Sequence, residues 1–169
     1  MSNILIIQGS SRSDGDTRLV INYLLEDNNY DVIDLLDYDI GYFDYEFKNK
    51  EDDFLPLMRS ILSKYDTFIL ATPIYWYSMS AQMKTFFDRL SDLLKIEKDL
   101  GRTLRGKSMA MISCSGSDDR NENFSEPFVL SADYLAMKYL GDVHAFVEGG
   151  KLGDGVEGRL DGFERVLDV

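Results

Sequence analysis

The segment Gly9-Ser10-Ser11-Arg12-Ser13-Asp14-Gly15-Asp16-Thr17 combines small residues, hydroxyls and one guanidinium. Small residues let backbone N–H groups converge on an anion, and a helix beginning at the end of the segment adds positive potential. Ser10, Ser11 and Thr17 can donate from their hydroxyls, Arg12 supplies a charge, and Gly15 and Asp16 lead into the helix. Five residues separate Gly9 from Gly15 and no Lys follows, so this is neither a Walker loop nor Gly-x-Gly-x-x-Gly. It suits a single phosphate. The plainer alternative is a Gly/Ser turn with Asp16 as helix N-cap.

A second stretch, Pro73-Ile74-Tyr75-Trp76-Tyr77-Ser78, places three aromatics in a row after a proline that should end a strand. A flat, partly apolar heterocycle wants such walls, with backbone hydrogen bonds at its polar rim. Core or interface aromatics are the equal alternative. Ser80 can cap the helix that follows. Ser115 and Gly116 sit in Ser113-Cys114-Ser115-Gly116-Ser117, which could supply backbone contacts to a ligand or simply turn the chain. Cys114 reads as a small buried hydrophobe. The sole histidine, His144, reads as a satisfied strand residue, which leaves no His-dependent triad and no His-rich metal site.

These residues need a frame. Apolar runs at Ile4–Ile7, Val32–Leu36, Thr67–Ala71, Ser108–Ser113 and Val143–Glu148 read as strands. Three-and-four spacing predicts helices over Thr17–Glu26, Phe54–Lys64, Ser80–Lys98 and Phe124–Leu140, the last with Gly141 as C-cap, and a final helix from Gly162 to Leu167. Strands separated by helices predict an α/β three-layer sandwich, with a five-stranded parallel sheet in the order 2-1-3-4-5 and residues 1–169 as a single domain. Ligands in such sheets bind beyond the carboxyl ends of the strands, where both segments lie. Gly149, Gly150, Gly153, Gly155 and Gly158 crowd the end of strand five and read as a flexible connection or a mobile flap. Residues 39–54 read as an acidic loop packed by its own aromatics.

Composition narrows the function classes. The net charge is −12, which argues against a nucleic-acid binder or a polybasic membrane anchor. One cysteine permits no internal disulfide and fits a reducing, cytoplasmic setting. Apolar runs are too short for a membrane span, and no basic leader opens the sequence.

The pair of motifs, Gly9-Ser-Ser-Arg…Gly15-Asp-Thr17 and Thr72-Pro-Ile-Tyr-Trp-Tyr-Ser-Met-Ser-Ala-Gln-Met-Lys-Thr-Phe-Phe-Asp-Arg89, resembles the NAD(P)H-dependent FMN reductase family of flavodoxin-like proteins. The resemblance implies bound FMN, with phosphate held by Ser10, Arg12 and Thr17 and the isoalloxazine ring on the backbone of Pro73–Ser78, flanked by Tyr75, Trp76 and Tyr77. It implies hydride transfer from NAD(P)H to FMN and on to a small acceptor such as a quinone or free flavin. It also implies a homodimer, with Phe86–Arg89 on a shared helix surface. Iron–sulfur relatives carry a cysteine cluster where Asp39–Phe54 has none, which excludes such a cluster here. Position 77 is Tyr where relatives often carry Gly. A flavodoxin-type electron carrier, docking a protein partner through its acidic surface, is the rival function; the Arg in the first loop argues against it. A phosphoacceptor receiver domain would need paired acids after strand one, where Gln8-Gly9-Ser10 stands.

Overall fold

The computed structural model describes residues 3–167. Buried apolar runs in β1 (Ile4–Gln8), β3 (Thr67–Tyr75), β5 (Ser108–Ser115) and the second half of β6 (Lys138–Glu148) form the centre of the sheet, which β2 (Asp31–Asp34), β4 (Ser78–Met79) and β7 (Lys151–Leu152) extend. Among the described residues, six helices surround it: α1 (Asp16–Asp27), α2 (Phe54–Lys64), α3 (Ala81–Lys95), α4 (Lys98–Arg102), α5 (Glu126–Tyr134) and α6 (Val156–Leu167). The long strands run parallel in the order β2-β1-β3-β5-β6. The sheet is nevertheless mixed and seven-stranded, not the five-stranded parallel sheet expected. Two short strands, β4 on β3 and β7 on β6, fold back antiparallel as hairpins. Helices α1 and α6 close one face over Ile6, Ile69 and Ile112, and α2, α3 and α5 close the other over Leu5, Leu70 and Met111.

Several boundaries differ from expectation. Pro73 does not end its strand: it pairs with Cys114 and β3 runs on to Tyr75. Ala71 gives its carbonyl to the Gly9 N–H at 2.8 Å, and Pro73, two residues on, turns its missing donor the same way, past the end of β1. The predicted helix over 124–140 shrinks to α5. The Ala136 N–H returns to the Asp133 carbonyl and the Met137 N–H to that of Ala132, with Ala136 at φ 55°, which is a Schellman stop. Gly141 is no C-cap: it lies in β6 at φ 131°, opposite Ala110, where the register slips by one residue. Strand two stops at Asp34 and gives way to a 3-10 turn, Leu35–Asp37, and the helix predicted over 80–98 divides into α3 and α4.

The last helix starts at Val156, so Gly158 and Gly162 are helical and not part of the connection. Gly149 and Gly150, both at positive φ, turn the β6–β7 hairpin. A Cβ on Gly153 would stand 2.0 Å from the Phe146 ring.

Residues 39–53 form an ordered loop. Its anchor is Arg89 of α3, 1% exposed. The guanidinium binds Asp52, Asp92 and the carbonyls of Gly41 and Asn49, and lies 4.9 Å over the Phe54 ring. Arg89 and Phe86 are therefore spent inside the chain and form no surface for a second copy. Among the described residues, no helix is long and apolar enough to cross a membrane.

Candidate functional site

The loops after β1, β3 and β5 meet at one edge of the sheet. Thr72 and Pro73 pair with Ser113 and Cys114, so Ser115 and Gly116 emerge beside Ile74. Ser80, the N-cap of α3, accepts from the Met83 N–H and donates to the Gly9 carbonyl at 2.7 Å. This ties the first loop to the third helix. A Cβ on Gly9 would meet Met83 Cβ at 3.0 Å and Cα at 3.1 Å, so a larger residue there would push the loop off α3.

The cap of α1 is Gly15, not Asp16, and no side chain closes it. The N–H groups of the first turn therefore lack a protein acceptor from the cap. Arg12 lies over this turn: a Cβ on Gly15 would stand 3.2 Å from its Nε and Nη2. The Arg12 guanidinium is exposed and makes no ion pair among the described residues. Asp14 and Asp16 are exposed beside it.

Not every hydroxyl points outward. Ser10 is 4% exposed and its Oγ accepts from the Arg12 N–H at 3.3 Å. Thr17 is 2% exposed and its side chain lies beside the Cys114 thiol. Ser11 is exposed and meets the Tyr75 hydroxyl at 2.6 Å. That bond joins the first loop to the aromatic segment.

Tyr75 and Ser78 pair across a two-residue turn made by Trp76 and Tyr77, at φ 48° and 64°. Two successive positive φ values are the type I′ hairpin pattern, which favours Asn-Gly. The β6–β7 hairpin fills the same positions with Gly149-Gly150. Here the turn carries rings instead, exposed by 93% for Trp76 and 76% for Tyr77. None of the three aromatics is core: Tyr75 is half-exposed and tied to Ser11, while Trp76 and Tyr77 project from the hairpin tip.

On the far side of the edge, His144 is buried. Its Nε2 lies 3.1 Å from the Ser117 carbonyl and its Nδ1 3.1 Å from Ser113 Oγ. Burial first, and Arg120 and Arg159 after it, push the imidazole below its usual pKa despite the Ser117 carbonyl and Asp118. The neutral ring with hydrogen on Nε2 satisfies both contacts. Ser113 is fully buried and also accepts from Arg120, so this is a loop anchor and no nucleophile. Cys114 is equally inert: burial, then the charge of Asp16, push its thiol up to about 12.

The support beneath the first loop comes from residues outside both motifs. Gln8, fully buried at the end of β1, directs its Nε2 to Asp34 Oδ2 at 2.9 Å, to the Ser13 carbonyl at 3.1 Å and to the Arg12 carbonyl at 3.4 Å. Arg18 donates to the Ser13 carbonyl at 3.2 Å and faces Asp34 at 3.6 Å. A polar residue ending a buried strand was the available signal.

The sequence profile of the NADPH-dependent FMN reductase family matches residues 2–151. YwqN of Bacillus subtilis (strain 168), named as an NAD(P)H-dependent FMN-containing oxidoreductase, is 26% identical over 161 residues, covering 89% of this chain and 87% of its own. The Trp repressor binding protein from Bacillus subtilis is similar in structure with a TM-score of 0.74 at 24% identity, over 97% of each chain. A flavodoxin, WrbA-like protein from Agrobacterium tumefaciens gives 0.62 at 19% identity, over 99% of this chain and 97% of its own. The structural likenesses establish the α/β flavodoxin-like fold.

Proposed function

Because the chain belongs to the NADPH-dependent FMN reductase family, we propose that its three-loop edge holds FMN and that the enzyme passes electrons from NAD(P)H to a small acceptor, a quinone or free flavin. The observation that carries this reading is the Ser11–Tyr75 bond. It joins an unpaired guanidinium at an uncapped helix start to an exposed aromatic wall, the two halves that a phosphorylated heterocycle requires.

The residues fit FMN on their chemistry. Arg12 and Ser11, with the backbone N–H groups of Ser13, Asp14 and the first turn of α1, hold one phosphate monoester. Gly15 admits the guanidinium and Asp16 turns its carboxylate to solvent. Backbone groups of Pro73, Ile74, Tyr75, Trp76, Tyr77 and Ser78 line one side of the ring, and Ser115 and Gly116 meet its other edge. Bound FMN supplies the hydride-accepting chemistry itself. The chain's part is to orient the ring and to keep it between rigid strand ends. A homodimer belongs to the same proposal, formed through a surface other than Phe86 and Arg89; light scattering of the flavin-bound protein tests it.

Anaerobic mixing of the purified protein with NADPH, and separately NADH, tests the reaction. Flavin absorbance should bleach with at least one nucleotide and return when a quinone or free FMN is added. A bound flavin that ignores both nucleotides would leave the electron-carrier function instead.

A further inference from the structure

We infer that Gln8 is a positioning residue that presets the first loop for an anion; the inference rests on the proposed phosphate site. The Gln8 side chain is fully buried, and three oxygens surround its nitrogen: Asp34 Oδ2, the Ser13 carbonyl and the Arg12 carbonyl. Turning the amide over would set oxygen against oxygen at all three, so the neighbours fix its orientation. Its own Oε1 is left buried with no partner. A buried acceptor without a donor is unfavourable, so the amide is not there to satisfy itself.

What it achieves lies in the loop. All described peptide bonds are trans, and in a trans peptide the C=O and N–H of one plane point in opposite directions. Drawing the Arg12 carbonyl toward Gln8 therefore turns the Ser13 N–H away from the core. Drawing the Ser13 carbonyl inward, with help from Arg18 Nε at 3.2 Å, turns the Asp14 N–H out as well. The outward side is where Arg12 lies over the open start of α1.

Asp34 is the anchor of this arrangement. It is 3% exposed, its Oδ1 accepts from the Leu36 N–H, and its Oδ2 holds the Gln8 amide. Strand β2 thus fixes strand β1's last side chain, which fixes the loop. The amides face outward before any ligand arrives, so none of the binding energy goes into turning them.

The test uses the full-length chain freed of flavin, titrated with FMN and with riboflavin, alongside thermal unfolding. Gln8→Met keeps length and burial and removes both N–H donors. It should weaken FMN binding by about tenfold, the loss expected for one hydrogen bond to a charged group. Riboflavin affinity should stay within about twofold, since riboflavin has no phosphate to feel the loop. Gln8→Glu keeps the shape but sets a carboxylate against Asp34 and two carbonyls. It should lose more FMN affinity, and if it fails to fold the Gln8→Met result still decides. An unchanged FMN-to-riboflavin ratio in Gln8→Met, or an equal fall for both ligands, would overturn the inference while the unaltered protein still prefers FMN. Equal affinity of the unaltered protein for FMN and riboflavin would overturn the phosphate site, and the inference with it.

Discussion

Arg12 is the one side chain of the first loop that brings positive charge to the helix start without spending it on a carboxylate. Arg12→Ala should weaken FMN binding by about 10- to 100-fold, the range for a charged hydrogen bond. Riboflavin binding should barely change, and parallel titrations of the two flavins would check it. Tyr77 is the counterpart on the ring side. It is exposed and held at φ 64°, a conformation that costs a Tyr about 1 kcal/mol and a Gly almost nothing. Tyr77→Gly should therefore leave the unfolding midpoint equal or higher while speeding flavin reduction by NADPH, because the ring face is less covered. A lower midpoint in a thermal melt would show that Tyr77 packs against the molecule after all.

At the scale of elements, the stop of α5 is made by the wrong residue for its geometry. Ala136 occupies the left-handed position of the Schellman motif at φ 55° and is exposed. Ala136→Gly should stabilise the chain by about 1 kcal/mol, measured by urea unfolding. The 39–53 loop makes the opposite point. Burial would raise the Asp52 carboxyl, but the Arg89 guanidinium and the N–H groups of Phe54 and Gly41 outweigh it and hold the pKa below the ordinary range. A depressed folded value means the clamp contributes fully above the unfolded pKa of about 3.9 and is lost as pH falls through the lower folded one. Asp52→Asn should cost about 1.5–3 kcal/mol at neutral pH and flatten the acid limb of a stability-against-pH series. Neither element was legible in the sequence. The Phe124–Leu140 spacing continues a helical rhythm straight through the stop, because an alanine at the turning point gives no signal. By the resemblance Arg89 reads as part of a surface shared by two copies, because its partners within the chain lie 37 and 48 residues away for Asp52 and Gly41.

Across the whole molecule, the parallel strands were readable because strands buried on both faces are continuous apolar runs, as in Ile4–Ile7 and Phe68–Ala71. The two hairpin strands were not. Gly149-Gly150 hid among neighbouring glycines, and Trp76-Tyr77 bears no mark of a turn. The anion loop and the aromatic wall were visible as residue types, yet the inward hydroxyls of Ser10 and Thr17 and the Gln8–Asp34 support depend on tertiary neighbours that no local pattern records.

The Thr17–Cys114 contact joins α1 to β5 directly under the first loop, and Cys114 is the only cysteine in the chain. With its thiol 1% exposed and pushed up to about 12, a disulfide reagent can react only when that layer parts. The labelling rate is thus a clock for opening, written into the molecule with no probe added. If opening destroys the flavin site, FMN at a hundredfold excess over its dissociation constant should slow the clock by about 100-fold. A rate indifferent to FMN would mean that α1 can lift from β5 while the loop above it keeps its shape.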